Sequence, residues 1–287
     1  MMTNCIYLDY NASTPVDPAV REAMLPYLGE FYGNASSSHP LGRSMKEAVD
    51  KARRQVAELL GASSDEIVFT SGGTESNNFV IKGVADAFKK RGRHIIISAV
   101  EHPAVTEPCK HLEQDGFEIS RIGVDAYGRI DPHDVAGEVR PDTILISVMH
   151  ANNEVGTLQP IAEISEIARV GGVLFHTDAA QSCGKVETQV DKLGVDFLSI
   201  AGHKLYAPQG IGALYIKRGV KLTSLLQGSG HESGRRAGTE AVAAIVGLGA
   251  AAELAARSSK GPHMIKLRDR LHAGLRKHFG EDVLLLG

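Results

Sequence analysis

Short apolar segments alternate with amphipathic segments through the middle of this sequence, and this alternation constrains the fold more than any other feature. The apolar segments are rich in β-branched residues, which favours strands; they cover 66–70, 94–98, 117–122, 143–149, 172–177, 197–200 and 211–216. Between them, apolar residues recur at helical spacing over 75–90, 104–114, 131–139 and 161–170. Such alternation predicts an α/β fold with a doubly wound, mostly parallel sheet. Further helices are predicted at 18–28, 42–60, 240–256 and 264–279, with the beginning of a strand at 282–287.

Composition limits the classes of partner that the chain can serve. The net charge is −3 and 43% of the 287 residues are hydrophobic, which suits a soluble globular protein and suggests neither a nucleic-acid nor a membrane partner. No apolar stretch reaches the length of a transmembrane helix, and the first residues do not have the pattern of a signal peptide. The three cysteines, Cys5, Cys109 and Cys183, are few and widely spaced, which favours a reducing, cytoplasmic compartment.

Residues capable of chemistry follow several of the predicted strands. They are Thr74, His102, Asn153, Asp178 and Lys204. In parallel sheets, ligands bind at the carboxyl ends of the strands, so we expect these side chains to meet there. This coincidence is stronger evidence than any single motif.

Lys204 lies between two apolar strands, in the segment Gly202-His203-Lys204. Burial lowers the pKa of a lysine and makes its amine a usable nucleophile. The chemistry that needs such an amine is bond formation with a carbonyl, above all that of pyridoxal phosphate. A structural lysine with satisfied hydrogen bonds is the alternative, and the local sequence leaves both open.

The turn Ser71-Gly72-Gly73-Thr74 joins a predicted strand to a predicted helix. Thr74 is expected to be the N-cap, and the glycines allow the backbone to approach an anion at the helix N-terminus. Many such turns bind nothing, so this signal is weak by itself. His203 is a second candidate for contact with a phosphate group.

Four more polar residues could surround a cofactor ring, and each has an ordinary structural alternative. Asp178 could pair with a pyridinium nitrogen or act as a helix N-cap. His102 could lie against the ring and move protons, or be a solvated loop histidine. Gln181 and Asn153 could donate hydrogen bonds to a ring hydroxyl oxygen, or be turn residues. A metal site is not favoured, because no histidine or cysteine pair has zinc-ligand spacing, and no Gly-x-Ser-x-Gly segment indicates a serine hydrolase.

Taken together, the motifs resemble those of the NifS/IscS-type cysteine desulfurases, in the class V aminotransferase superfamily of pyridoxal phosphate enzymes. The similarity runs nearly end to end. The segments that carry it are 7–12, 14–15, 69–78, 101–102, 149–156, 176–182, 202–204 and 236–239.

This resemblance implies a fold-type-I enzyme that removes sulfur from L-cysteine, leaving alanine and a persulfide. It implies a homodimer that passes sulfur to iron–sulfur cluster scaffolds or other acceptor proteins. Lys204 would bind the cofactor aldehyde, and His102 would stack on the ring and assist proton transfer. The other implied cofactor-binding positions are Gly73, Thr74, Asn153, Asp178, Gln181, Ala201, Gly202, His203 and, toward the partner subunit, Thr239.

Two departures from the family pattern matter. Ala201 stands where the family usually has a serine that donates to the phosphate, at an expected cost of roughly 0.5–1.5 kcal/mol. In the family, the sulfur-accepting cysteine and the arginine that binds the substrate carboxylate lie past the position of this chain's last residue. None of the three cysteines of this chain matches that cysteine in position or motif.

The resemblance divides the chain into an N-terminal arm at 1–15 that is part of the small domain, a large cofactor domain at 16–257 and the start of a truncated small C-terminal domain at 258–287. We therefore expect this chain to bind the cofactor and L-cysteine without completing persulfide transfer alone. The alternatives are another fold-type-I enzyme, such as a selenocysteine lyase or an aminotransferase-like relative, and a non-catalytic or split-enzyme fragment.

Overall fold

The computed structural model describes residues 6–257 and 261–285. A seven-stranded sheet runs in the order β1-β7-β6-β5-β4-β2-β3. Only β7 pairs antiparallel to its neighbours, so the other strands share one direction and their carboxyl ends lie at one edge. The strands are β1 (Ile67–Thr70), β2 (His94–Ser98), β3 (Glu118–Ile122), β4 (Thr143–Ser147), β5 (Leu174–Asp178), β6 (Phe197–Ala201) and β7 (Gly212–Ile216).

Helices cover both faces of this sheet. One apolar cluster holds Phe69, Phe175 and Leu198 together with residues of α2, α6 and α8. The other holds the neighbouring strand residues Val68 and Phe197 together with residues of α3 and α4, as expected when side chains alternate across a sheet. The helices are α1 (Pro18–Met24), α2 (Pro40–Leu60), α3 (Gly73–Phe88), α4 (Pro103–Gln114), α5 (Pro132–Glu138), α6 (Ile161–Gly171), α7 (Val190–Leu193), α8 (Val242–Arg257) and α9 (Gly261–Phe279).

The predicted fold class is confirmed, and so is every strand from β1 to β7. Two local predictions were wrong. Thr74 is not the N-cap of α3, because the helix already begins at Gly73, with Gly72 as its N-cap at a φ of 152° that favours glycine. No strand begins at 282: residues Gly280–Asp282 form a 3₁₀ turn and 283–285 are irregular, while 286–287 lie outside the described residues.

The domain boundaries stay a prediction. The proposed boundary at 257–258 falls at the end of α8, next to residues 258–260, which lie outside the described ranges. Within those ranges, no helix has the length and apolar character needed to cross a membrane.

Candidate active site

A cavity of about 770 Å³ opens at the carboxyl ends of the parallel strands. It brings together the site residues predicted from the sequence, except Gly202 and Thr239. The predicted residues that line it are Gly73, Thr74, His102, Asn153, Asp178, Gln181, Ala201, His203 and Lys204. Gly202 is buried between two of them, with its N–H bonded to the carbonyl of Ile211 at 3.0 Å. The expectation that strand-end residues converge is therefore confirmed.

Lys204 reaches the cavity from a single 3₁₀ turn directly after β6. Its Nζ donates to the backbone carbonyl of Asn11 at 2.6 Å. Burial lowers the pKa of this amine, and the carboxylates of Asp178, Asp9 and Glu154 partly oppose that effect. The result is a half-buried amine that is easier to deprotonate than a surface lysine.

Asp178 presents a buried carboxylate at the end of β5. Its Oδ2 accepts a hydrogen bond from Asn77 Nδ2 at 2.6 Å, and its Oδ1 accepts one from the N–H of Ala180 at 2.9 Å. The second bond has the form of a cap, but a turn rather than a regular helix follows. Two donors orient the carboxylate toward the cavity that it lines.

The N-terminal arm forms part of the cavity wall. Thr14 holds it in place, because its N–H and its hydroxyl both donate to the carbonyl of His203 at 2.9 Å. The Asn11 carbonyl, which already accepts from Lys204, also accepts from Gln181 Nε2 at 2.8 Å. The Asn11 amide in turn donates to the carbonyl of Asn153 at 3.1 Å. The arm thus contacts four of the predicted site residues, His203, Lys204, Gln181 and Asn153.

His102 is exposed at the start of α4 and is the N-cap of that helix. Its Nδ1 accepts from the N–H of Ala104 at 3.0 Å. In the neutral ring the proton therefore resides on Nε2. The histidine thus has the capping role of a loop residue and also lines the cavity.

Glu101, next to His102, joins the ends of β2 and β4 from inside the protein. Its Oε1 accepts from Ser98 Oγ at 2.5 Å and from the N–H of Met149 at 2.7 Å. Its buried Oε2 has no hydrogen-bond partner among the described residues. Burial, more than any other cause, raises the pKa of this carboxyl to about 8.

One part of the cavity wall suits an anion. Gly73 and Thr74 from the first turn of α3 line it together with His203, and helix N-termini attract negative groups. A Cβ built on Gly73 would lie 3.3 Å from the Cβ of Ala201. Position 201 therefore directly faces the helix start. Burial, followed by the charge of Lys204, lowers the pKa of His203.

Thr239 lies away from Lys204 in this chain. It lines a separate cavity of about 210 Å³ together with Ser71 and Arg236. Arg236 pairs with Glu75 of α3 through its Nε at 2.9 Å. The predicted contact of Thr239 with a partner subunit stays a prediction.

The cysteines are poorly placed for sulfur chemistry. Cys109 and Cys183 are both buried, and burial raises the pKa of each thiol to about 12. A thiol with so high a pKa is scarcely ionised at neutral pH, whereas the thiolate is the reactive form. Cys5 lies outside the described residues.

Sequence reasoning missed several residues that shape the site. Asn77 stood within the 69–78 segment but was given no role, and only the packing of α3 against β5 brings it to Asp178. Asn11 acts through its backbone carbonyl, which leaves no signal in the side-chain pattern. Two consecutive amides directly before the apolar stretch of α3, Asn77 and Asn78, were the available clue.

These groups fit pyridoxal phosphate. An amine of lowered pKa suits its aldehyde, a buried carboxylate suits its pyridinium nitrogen, and a glycine-rich helix start suits its phosphate. The buried Oδ1 of Asn77, which has no partner among the described residues, adds an acceptor beside the same wall. Within the described ranges, no group of three or more histidine, cysteine or acidic residues could hold a metal ion.

Comparison with known proteins gives matches along nearly the whole chain. The model of the class-V aminotransferase family matches residues 6–281. A cysteine desulfurase IscS of Dictyoglomus turgidum is 55% identical over 250 residues, which is 87% of this chain and 64% of the relative. An IscS of Methanosarcina thermophila is 51% identical over 95% of this chain and 68% of its own length. The chain thus spans about two thirds of the length of these curated relatives.

Solved structures agree. A NifS-like protein superimposes with a TM-score of 0.92 at 42% identity, covering 95% of this chain and 76% of that structure. The structure of SspA in complex with cysteine superimposes with a TM-score of 0.85 at 43% identity, covering 87% of this chain and 72% of that structure. Both sequence identities are well above the range in which structural similarity indicates only a shared fold.

Proposed function

This chain belongs to the class-V aminotransferase family, within its cysteine desulfurase group, and we propose that its cavity binds pyridoxal phosphate and acts on L-cysteine. The observation that carries the proposal is the convergence of Lys204, Asp178 and the start of α3 on one cavity. The cysteine-bound structure of SspA, 43% identical, supports the choice of substrate.

Four residues would hold the cofactor. The Lys204 amine would bind its aldehyde, and Asp178 would accept the proton of its ring nitrogen in a hydrogen bond. Thr74 and His203, with the N–H groups that begin α3, would bind the phosphate. When bound, pyridoxal phosphate supplies an electron sink for the breaking of bonds at the substrate carbons.

The surrounding side chains would orient the substrate and move protons. Asn77 fixes the Asp178 carboxylate through the 2.6 Å hydrogen bond. Gln181 and Asn153 would donate hydrogen bonds to oxygen atoms of the bound group. His102, with its Nε2 proton, would exchange protons with the substrate, and the free Lys204 amine would do the same at the carbon it faces.

The reaction transfers sulfur from cysteine to a second thiol. The C–S bond of cysteine breaks and an S–S bond forms, so L-cysteine and a thiol give L-alanine and a persulfide with no external oxidant. Because Cys109 and Cys183 are buried with raised pKa values, neither is proposed as the acceptor. In the proposed reaction the acceptor thiol therefore comes from outside the described residues.

We further propose a cytoplasmic homodimer that supplies sulfur to iron–sulfur cluster assembly. The sparse cysteines and the names of the IscS relatives support this setting. The resemblance described above is the support for the dimer and for the acceptor.

The test is production of alanine by the cofactor-loaded 287-residue chain, given L-cysteine and an excess of dithiothreitol as acceptor. Because dithiothreitol supplies the acceptor thiol that the chain alone is not expected to provide, we expect alanine and sulfide in equal amounts, and none from a Lys204→Ala variant. Alanine formed equally by the variant would overturn the assignment of Lys204. Failure of the loaded wild-type chain to release alanine under any thiol concentration would overturn the desulfurase proposal.

A further inference from the structure

A second lysine, Lys185, lies beside the cavity and has no part in the reaction proposed above. The turn after β5 places it four residues beyond Gln181. Two backbone hydrogen bonds of 2.9 Å shape this turn, from Cys183 to Ala179 and from Lys185 to Ser182. The turn thereby brings the side chain of Lys185 back to that of Gln181.

The turn packs closely against its neighbours, and this packing fixes the position of Lys185. Gly184 has a φ of 74°, which favours glycine, and a Cβ there would collide with Leu205 and lie 3.0 Å from the Cβ of Ala255. Leu205 directly follows Lys204 in the chain. The turn therefore packs against the segment that carries the reactive lysine and against α8.

The ammonium of Lys185 donates to Gln181 Oε1 at 3.2 Å. On the other side of the same amide, Gln181 Nε2 donates to the carbonyl of Asn11 at 2.8 Å. An ammonium can only donate and a carbonyl can only accept, so both neighbours require the same orientation of the amide. That orientation turns the NH₂ group toward the arm and the cavity.

We propose that Lys185 is a positioning residue, which fixes the Gln181 amide so that this side chain is an obligate hydrogen-bond donor in the cavity. This inference rests on the proposed function. Without Lys185, only the Asn11 carbonyl would hold this orientation. The amide would then rotate more often and turn Oε1 inward, where it would repel an oxygen of the bound group. Burial and then the charge of Lys204 lower the pKa of Lys185, so placing a cation here carries a cost.

The first test uses the chain without cofactor and therefore does not depend on the proposed function. The side-chain amide of Gln181 is observed by NMR after selective ¹⁵N-glutamine labelling, and assigned by its loss in a Gln181→Leu variant. We expect Lys185→Met to move the Gln181 NH₂ signals to the positions of a solvent-exposed glutamine, and Lys185→Arg to retain the wild-type positions. Unchanged signals in a folded Lys185→Met variant would overturn the inference.

The second test measures affinity for pyridoxal phosphate by equilibrium dialysis, with thermal unfolding of each variant as a control for folding. We expect Lys185→Met to bind about tenfold more weakly, which corresponds to about 1.4 kcal/mol, and Lys185→Arg to restore most of the loss. If Lys185→Met fails to fold, Lys185→Leu, which also lacks a donor, replaces it with the same expectation. Equal affinity of folded variant and wild type refutes the inference, whereas no binding by the wild type refutes the proposed function instead.

Discussion

Glu101 is expected to make the stability of this protein depend on pH in an unusual direction. Burial raises its pKa from the ordinary 4.5 to about 8, so the folded protein holds a proton that the unfolded chain releases. Because the pKa is raised in the folded protein, Glu101 does not lower the unfolding free energy below pH 4.5. It lowers the unfolding free energy by an increasing amount between pH 4.5 and 8, and by a constant amount above pH 8. At 1.36 kcal/mol per pH unit, the full cost is about 5 kcal/mol.

The perturbation is Glu101→Gln, which mimics the neutral acid and keeps the oxygen that accepts from Ser98 and Met149. The variant lacks the titration, so its stability should rise relative to wild type as the pH increases. From the two pKa values, the difference in unfolding free energy should grow by about 3 kcal/mol between pH 5 and 7.5. The absolute difference also contains the cost of a new amide, so the change with pH is the diagnostic quantity.

The assay is urea unfolding at half-unit steps from pH 5 to 8, followed by circular dichroism because the chain has no tryptophan. Glu113→Gln is the matched control. Glu113 pairs with Arg121 at the surface and has a lowered pKa, chiefly through its hydrogen bond with Arg121. The difference in unfolding free energy between Glu113→Gln and wild type should therefore change by less than about 1 kcal/mol over the same pH range. A flat difference for Glu101→Gln would refute the reasoning, since Glu101 would then be ionised in the folded protein.

Three other predictions concern the buried polar groups and the cavity. Glu232→Ala should lower the unfolding free energy by about 3–5 kcal/mol, because it leaves the largely buried Arg53, now paired at 2.6 and 2.7 Å, without its partner. Asp65→Ala, at an exposed pair with Arg218, should lower it much less, and equal losses in urea titrations would contradict this. The Ala201→Ser variant should bind pyridoxal phosphate about twofold to tenfold more tightly in equilibrium dialysis, because the free energy of one added hydrogen bond corresponds to that change in affinity. Unchanged or weaker binding would count against a phosphate group beside this position. Burial lowers the pKa of His176 to about 3, so the contribution of this histidine to the unfolding free energy is present above pH 6.5 and falls by about 2 kcal/mol toward pH 5. A His176→Gln variant whose unfolding free energy falls as much as that of wild type between pH 6.5 and 5, in urea titrations, would disprove this.

Most of the strands could be predicted because they are compact apolar runs bounded by glycine or polar turn residues, whereas β3 mixes apolar and polar residues. Ile95, Ile96 and Ile97, for example, are fully buried in β2. Once the strands alternate with helices, parallel pairing follows, and so does the meeting of Asp178 and Lys204 at one edge. That part of the site needs only topology.

The failures have local physical causes. Thr74 has a side chain suited to an N-cap, but Gly72 adopts a φ that few other residues accept, and the helix begins two residues earlier than predicted. The apolar run at 283–285 resembles a strand, yet Leu284 is 80% exposed and pairs with no strand among the described residues. A strand needs a partner, and sequence alone does not supply that information.

The finer chemistry of the site depends on contacts between distant segments. Asn77 and Asp178 are 101 positions apart, and Lys204 and Asn11 are 193 apart. Neither pair leaves a periodic pattern in the sequence. The raised pKa of Glu101 likewise follows from burial that only the packed sheet produces.

The central claim is that the cavity around Lys204 binds pyridoxal phosphate through that amine and admits L-cysteine. The most direct measurement is the visible absorption spectrum of the chain after loading with pyridoxal phosphate, before and after L-cysteine is added, with a Lys204→Ala variant beside it. We predict a band that survives removal of free cofactor, shifts on addition of L-cysteine, and is absent or displaced in the variant. A wild-type chain that retains no cofactor, or a band that is the same in the variant, would contradict the claim.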